Sequence, residues 1–246
     1  MNQSRIVINT LVAQRAHEEG TSQLAIIKHL LPLGYRNFEL RREYFNGNFA
    51  ELEELAALKL KYRLVYFYSI PENLFVDGHL NIELLQFIAE ARLMGANYLK
   101  MTLGNFDGHN INELQRLNRL LPDSMQLNLE NDQSLANAKI SRLVDFFRVA
   151  NENNVQIGFV NDLGNWVYTK QDEQDATRQL LPYTRYVHLK GYETDNGINT
   201  TSFVDSQLDW QKLLKQFAAH LPVALEYPAT IDELKNDLNV LNNFVI

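Results

Sequence analysis

Eight short segments rich in β-branched, aromatic and aliphatic residues alternate along this chain with eight longer segments whose apolar residues recur at helical spacing. The strand-like segments lie at 6–13, 36–42, 63–69, 97–103, 125–130, 155–161, 184–190 and 223–227. The helical segments lie at about 21–33, 48–61, 81–94, 111–121, 136–152, 172–181, 207–219 and 230–243. Parallel strands need crossover connections, which helices usually provide. The alternation therefore predicts an α/β fold, a single (β/α)8 TIM barrel.

The length of the chain fits one domain of this kind. A (β/α)8 barrel typically takes about 250 residues. The chain has 246, with no Gly/Ser-rich or single-charge stretch that would act as a linker, so we expect one barrel domain over 1–246. An open doubly wound sheet is the main alternative, but it normally carries a glycine-rich phosphate loop after its first strand. Residues 14–20 read QRAHEEG, which lacks that pattern and favours the barrel.

Composition argues against several classes of protein. The absence of cysteine excludes disulfides, thiolate catalysis and iron–sulfur clusters, and it is compatible with a reducing cytoplasm. A formal charge of −7 argues against binding to nucleic acid. No apolar run approaches the roughly 18 residues of a membrane span, and the first residues do not resemble a signal peptide. We expect a cytoplasmic protein without a nucleic-acid or membrane partner; a homo-oligomer is compatible with the sequence.

Polar residues end four consecutive strand-like segments. The fifth ends at Glu130, the sixth leads into Asp162, the seventh contains His188, and the eighth leads into Glu226. The functional site of a barrel lies at the carboxyl ends of its strands, so these side chains should converge there. A lone strand-end glutamate is more often a cap, and a lone histidine in an apolar strand is more often a core residue. Four of them in neighbouring strands favour a shared site.

The charge of this set predicts a bound cation. Carboxylates at the ends of buried strands repel one another and are costly to desolvate unless a cation meets them. We expect no lysine or arginine at the equivalent positions, so a metal ion would have to supply the positive charge. Oxygen donors with one imidazole nitrogen suit Mn²⁺, Mg²⁺, Co²⁺ or Zn²⁺. The identity of the metal stays open.

Several short motifs together resemble those of the xylose isomerase-like barrels, the group that includes sugar phosphate isomerases and epimerases and the family 2 apurinic endonucleases. The resemblance covers nearly the whole chain. Each motif is weak alone, but their order makes the set moderately specific. The motifs are GYRNFELR at 34–41, LMGANY at 93–98, LEN at 129–131, NDLGN at 161–165, HLK at 188–190 and LEY at 225–227.

The resemblance implies a metal site and two catalytic residues. In epimerases of this group the corresponding positions bind one divalent metal, which implies Glu130, Asp162, His188 and Glu226 as ligands here. The metal would polarise a sugar carbonyl and stabilise an enediolate. Glu130 and Glu226 would lie on opposite faces of that enediolate, one removing a proton and the other returning it.

One position departs from the family pattern. Many members have histidine three residues after the aspartate of the sixth strand, where this chain has Asn165. Asparagine binds metals poorly, so a single-metal site fits better than a multinuclear one. The endonuclease alternative needs several metals and more histidines. His79 and His109 lie in loops on the correct side of the barrel, but we expect surface or structural roles for them.

Further residues are candidates for substrate binding. Arg41, Lys100 and Lys190 lie near strand ends, where a cation could hold a sugar oxygen, a carboxylate or a phosphate. Equally, these three side chains could pack their apolar stems along the rim of the barrel and keep their charged groups in water, without binding substrate. Glu39 could contact substrate or form a salt bridge to Arg41. Asn165 could hydrogen-bond to substrate. Trp166 could stack on a sugar or pack in the core.

The leading hypothesis is a divalent-metal-dependent sugar or sugar-phosphate isomerase or epimerase acting on a small-molecule substrate. A metal-dependent dehydratase on a polyol-derived ketone shares the first chemical steps, so the sequence does not separate the two. A non-catalytic sugar-binding barrel is the third alternative, and retention of all four ligand positions argues against it.

Overall fold

A computed structural model describes residues 1–45, 47, 49–108 and 110–245, and within them eight parallel strands form a closed barrel. Each strand pairs with its neighbours in the chain, β2 pairs with β3, and β1 pairs with β8, so the ring has no open edge. The (β/α)8 fold expected from the sequence is confirmed. The barrel strands are β1 Ile6–Asn9, β2 Asn37–Arg41, β3 Val65–Val76, β4 Tyr98–Gly104, β5 Gln126–Glu130, β6 Ile157–Asp162, β7 Thr184–Leu189 and β8 Val223–Leu225.

Helices surround the barrel and bury the outer faces of its strands in one apolar core. None of the described helices combines the length and hydrophobicity that a bilayer span requires. His109 and Asn48, the residue at which the second helix was predicted to begin, lie outside the described residues. The helices are α1 Gln14–Glu18, α2 Gln23–Leu30, α3 Glu51–Tyr62, α4 Leu84–Met94, α5 Ile111–Leu120, α6 Ile140–Glu152, α7 Glu173–Leu180, α8 Trp210–Leu214 and α9 Ile231–Asn243.

Several segments differ from the sequence-based prediction, among them the third strand, which continues to Val76 rather than ending at 69, and α1, which was not predicted. The first strand ends at Asn9 rather than continuing to 13, because the Asn9 side chain accepts a hydrogen bond from the Leu11 amide and begins a 3-10 turn. The helix predicted over 207–219 is shortened to α8, whose first turn is capped by Asp209. Short strands that the pattern did not predict also occur, at His79–Leu80, Gly191–Glu193 and Asn199–Thr201.

The interior of the barrel has an apolar layer beneath a polar layer. Successive side chains of a strand point to opposite faces, so every second residue points inward. The lower layer is apolar and buried, and in it the ring of Phe67 stacks on that of Tyr98 with centroids 4.3 Å apart. The other members of the lower layer are Val7, Val160, Tyr186 and Ala224. The next inward position on each strand, toward the carboxyl end, carries the polar side chains of the candidate site.

Candidate active site

Glu130, Asp162, His188 and Glu226 converge at the carboxyl end of the barrel, as the sequence predicted. Glu130 and Asp162 end β5 and β6, His188 is the penultimate residue of β7, and Glu226 follows β8. All four side chains are buried, and each offers one ligand atom that lies within 4.8 Å of the other three. Two of them, Glu130 and Glu226, line a cavity of about 730 Å³.

The imidazole of His188 is held in one orientation by contacts on both nitrogens. Nδ1 lies 2.7 Å from Glu130 Oε1 and 3.0 Å from Glu226 Oε2. Nε2 lies 2.8 Å from Glu39 Oε2, which also accepts a 2.5 Å hydrogen bond from the Tyr186 hydroxyl. A carboxylate behind one ring nitrogen is the usual means of directing the other toward a metal. The contacts of Glu39 therefore point Nδ1 at the carboxylate cluster.

The expectation that no cationic side chain meets these carboxylates is wrong for Lys100. Its ammonium lies 2.6 Å from Glu130 Oε2, 3.4 Å from Glu226 Oε1 and 3.7 Å from Glu39 Oε1. Lys100 and Glu130 come from neighbouring strands, with their side chains on the inner face of the barrel. The sequence placed Lys100 near a strand end, but it did not give the direction of the side chain.

Two further cations compensate the remaining charge. The Lys190 ammonium lies 2.7 Å from Asp162 Oδ2 and 3.4 Å from Glu226 Oε2. Arg41 Nη1 lies 3.1 Å from Glu226 Oε1, while its Nε donates to Glu43 at 2.6 Å. The chain thus supplies its own counter-charges. The repulsion of the carboxylates is therefore not, by itself, an argument for a metal.

A different observation shows that the donor set fits a divalent ion. Glu130 Oε1 and Asp162 Oδ2 are buried, and each lies 2.7 Å from a nitrogen of the cluster itself, His188 Nδ1 and Lys190 Nζ respectively. The other Asp162 oxygen accepts bonds from the amides of Gly164 and Asn165, which fix the carboxylate plane. Three carboxylates and one imidazole each offer a ligand atom within 4.8 Å of the others, and oxygen and nitrogen donors in this arrangement suit one divalent ion. The cluster could therefore bind one metal ion.

Burial and the surrounding charges shift the acid–base behaviour of the cluster. Burial raises the pKa of Asp162 to about 7, against the opposing charge of Lys190. Burial also acts to raise the pKa of Glu226, but Lys100, His188 and Lys190 outweigh it and hold that pKa well below its usual range. The pKa of His188 is raised well above its usual value, because the nearby carboxylates outweigh its desolvation. Both shifts favour the charged forms of these two groups, the carboxylate of Glu226 and the imidazolium of His188.

The other predicted site residues occupy different surroundings. Arg41, Lys100, Lys190 and Asn165 line the cavity. Asn165 donates through Nδ2 to the Asn131 carbonyl, while its Oδ1 is buried and accepts no hydrogen bond from the described residues. Asn165 is thus positioned to accept a hydrogen bond from a ligand.

Trp166 and Glu39 do not reach the cavity. The Trp166 side chain is fully buried, and its indole N–H donates to Asn161 Oδ1 at 2.9 Å. Stacking on a sugar is therefore not supported, and Trp166 belongs to the core. Glu39 is fully buried too, and it contacts His188 rather than forming the salt bridge to Arg41 that we had considered. Its place is behind the site, as a support for the imidazole.

Two residues of the site were missed from the sequence. Asn9 ends β1, and its Nδ2 donates to Glu226 Oε1 at 3.1 Å. Tyr186 lies two residues before His188 on the inner face of β7, and its hydroxyl contacts Glu39. The rule that strand ends form the site would have found Asn9, and the two-residue period of a strand would have found Tyr186.

Polar groups from several loops form the cavity wall around the cluster. Asp132, Gln133 and Ser134 follow β5, and Thr200 lies on the short strand after β7. Hydroxyl, amide and carboxylate groups of this kind can hydrogen-bond to a ligand rich in hydroxyls. The wall also has apolar residues, namely Leu11, Ile70, Pro71 and Pro228.

Neither the models of known protein families nor the sequences of curated proteins match this chain. Solved structures do. A xylose isomerase domain containing protein from Salmonella typhimurium LT2 is 17% identical, with 98% of this chain and 96% of that chain covered and a TM-score of 0.76. IolI, in a structure with a binding zinc atom, is 14% identical, with 98% and 99% covered and a TM-score of 0.71. The 3-keto-D-glucoside 4-epimerase YcjR from E. coli is 12% identical, with 97% and 98% covered and a TM-score of 0.66. These likenesses span the whole domain and confirm the predicted xylose isomerase-like barrel fold.

Proposed function

We propose that this chain is a divalent-metal-dependent sugar or sugar-phosphate isomerase or epimerase. The observation that carries the proposal is the pair of buried carboxylates of Glu130 and Glu226, which contact the same nitrogen of His188 at the floor of a polar cavity. Glu130, Asp162, His188 and Glu226 would hold one Mn²⁺, Mg²⁺, Co²⁺ or Zn²⁺ ion. When bound, such an ion supplies the Lewis acidity that makes a proton next to a substrate carbonyl removable.

Glu130 and Glu226 would transfer that proton. One carboxylate removes it from the carbon next to the carbonyl, and the other delivers a proton to the opposite face of the same carbon, which gives epimerisation. Delivery to the neighbouring carbon gives aldose–ketose isomerisation instead. The low pKa of Glu226 keeps this carboxylate ionised at neutral pH, as a base requires.

The remaining residues of the wall would position the substrate. Asn165 Oδ1 would accept a hydrogen bond from a sugar hydroxyl, since it has no donor among the described residues. Arg41, Lys100 and Lys190 would hold a sugar oxygen or a phosphate, because their charged groups line the cavity.

The structural relatives support this proposal. Two structures of the same fold are described as an epimerase of a keto-glucoside and as a protein with a binding zinc atom. Both are far in sequence from this chain, so they support the reaction class and the metal only by analogy. The evidence from this chain itself is the cluster of four residues that could ligate a metal.

The test is solvent-deuterium exchange into a panel of ketoses and ketose phosphates by metal-loaded protein. Wild type is expected to introduce deuterium next to the carbonyl of its substrate. Glu130→Gln and Glu226→Gln should abolish this exchange, because an amide accepts no proton at neutral pH. Glu53→Gln, an exposed change in α3, is the matched control and should behave as wild type. Full exchange in both site variants would contradict the proposed mechanism.

Product mass in the same experiment separates the two alternatives. Epimerisation and isomerisation conserve the mass of the substrate, whereas a dehydratase removes one water. Saturable binding of a sugar with no exchange and no product would identify a non-catalytic sugar-binding barrel.

A further inference from the structure

The carboxylates of the candidate site are paired with basic side chains of the same chain. Four carboxylates meet there, those of Glu39, Glu130, Asp162 and Glu226, and each has an oxygen within 4.0 Å of a nitrogen of Lys100, Lys190, Arg41 or His188. Three of these nitrogen-bearing groups are permanent cations at neutral pH. A divalent ion that enters such a site adds positive charge where the chain already provides it.

Lys100 occupies the most central position among these cations. It comes from β4, which contributes no candidate metal ligand, and its side chain is only 8% exposed. Its ammonium contacts both Glu130 and Glu226, the two carboxylates proposed to act on the substrate. Lys190 pairs with Asp162 and also lies 3.4 Å from Glu226, whereas Arg41 is shared with Glu43 outside the cluster.

An ammonium and a divalent ion compete for the same carboxylate oxygens. Both are held by charge, and in a site shielded from water their mutual repulsion is strong at short distance. Glu130 has two oxygens, but one pairs with Lys100 at 2.6 Å and the other faces His188. Metal binding through this carboxylate therefore weakens its contact with Lys100.

We propose that Lys100 is a tethered counter-ion that a divalent metal displaces from Glu130 and Glu226, so that metal loading of this site is an exchange of cations. The inference rests on the proposed function, because it takes the metal from there. In the metal-free protein the Lys100 ammonium neutralises the carboxylates and keeps the site folded. In the loaded protein the ammonium moves toward the cavity, which Lys100 already lines.

The sign of one substitution distinguishes exchange from a supporting role. If Lys100 only orders the ligands, its removal leaves them loose and weakens metal binding. If Lys100 competes with the metal, its removal strengthens binding. Lys100→Met keeps the unbranched apolar stem of the side chain and removes the ammonium group.

The experiment is titration of chelator-treated, full-length protein with Mn²⁺ and Zn²⁺ by calorimetry. We expect the apparent Kd of Lys100→Met to be lower than that of wild type by about tenfold or more, the size of effect seen for close charge pairs. Lys59→Met, whose ammonium bonds to the Gly95 carbonyl away from the site, should leave the Kd unchanged. An equal or higher Kd for Lys100→Met would overturn the exchange.

A measurement on wild type covers the case in which Lys100→Met does not fold without metal. Amine-reactive labelling followed by mass spectrometry compares the reactivity of each lysine with and without Zn²⁺. Lys100 is expected to react faster in the loaded protein, while Lys59 serves as the internal reference. Equal protection of Lys100 in both states would contradict its displacement.

The outcomes also separate this inference from the proposed function. Binding of metal by wild type and Lys100→Met with the same affinity removes the exchange and leaves the metal site intact. Absence of metal binding in both proteins contradicts the proposed metal dependence, and the exchange with it.

Discussion

Glu39 illustrates how a residue with no access to the cavity can act on the site. Its carboxylate accepts a hydrogen bond from the Tyr186 hydroxyl and contacts Nε2 of His188. It therefore determines which nitrogen of His188 points toward Glu130 and Glu226. The sequence named Glu39 as a candidate site residue, but it did not reveal the partner, because β2 and β7 are distant in the chain. Contacts between such strands depend on the closure of the barrel.

Replacing Glu39 by glutamine should weaken metal binding. Glutamine keeps the size of the side chain but lowers the basicity that the carboxylate gives to the imidazole, and changes of this kind typically cost about 10–100-fold in metal affinity. The measurement is calorimetric titration with Zn²⁺, with Glu53→Gln as the exposed control. An unchanged Kd would show that Glu39 does not act through His188.

Trp166 shows the limit of reasoning from neighbours in the chain. It follows Asn165 directly, yet Asn165 lines the cavity while Trp166 points into the core. Both residues lie at the start of a 3-10 turn, in which adjacent side chains point in different directions. Adjacency to a site residue therefore does not predict access to the site.

At the scale of elements, the turn after β2 is anchored to α4 by a buried ion pair. Arg42 donates through Nε and Nη2 to both oxygens of Glu90, and the Tyr68 hydroxyl from β3 donates to the same carboxylate at 2.6 Å. The pair holds in place the turn that follows Arg41. The sequence offered no sign of this network, because its members lie on three separate elements.

The pH dependence of stability should reveal this ion pair. Burial acts to raise the pKa of Glu90, but hydrogen bonds from Arg42, Tyr68 and Gln86 outweigh it and lower that pKa below its usual value. A depressed pKa means that Glu90 stabilises the fold above about pH 4.5, and that this stabilisation is lost as the pH falls through the lowered value.

The corresponding variant is Glu90→Gln. At pH 7 we expect its free energy of unfolding to be about 2–3 kcal/mol lower than that of wild type, because Arg42 loses the charge it is paired with. Urea denaturation between pH 3 and pH 7 measures the difference, which should shrink toward the acid end. A difference that stays constant over this range would contradict an ionised Glu90.

Local composition explains why the elements were predictable and the ion pairs were not. Short segments rich in β-branched, aromatic and aliphatic residues predicted the eight strands, and the barrel rule then placed Glu130, Asp162, His188 and Glu226 together. The approach of Lys100 to Glu130 depends on the register between β4 and β5, in which Lys100 pairs with Asn128 and Thr102 with Glu130. The residue pattern of each strand taken alone does not predict the pairing register between two strands.

At the scale of the whole molecule, metal binding should stabilise the fold, since the four candidate ligands come from four different strands. A ligand present at about 100 times its Kd adds roughly 2.7 kcal/mol. For a domain of this size that corresponds to an increase of about 5–10 °C in Tm. Thermal unfolding of chelator-treated protein with and without added Zn²⁺ measures it.

Asp162→Asn is the matched variant for this measurement. Its amide keeps the shape of the side chain but is a poor metal ligand, so the increase in Tm should be lost or strongly reduced. An equal increase in the variant would mean that Zn²⁺ stabilises the protein from another site.

The cytoplasmic location expected from the sequence stays a prediction.

The apolar layer beneath the site gives the cavity a closed bottom. Phe67 and Tyr98 stack there, and Tyr186 fills the space under His188. Among the described residues, this layer closes the lower end of the barrel, so a ligand approaches the carboxylates from the carboxyl ends of the strands. If the proposed reaction holds, product and the next substrate share that approach, and a slowly departing product would limit the rate of turnover.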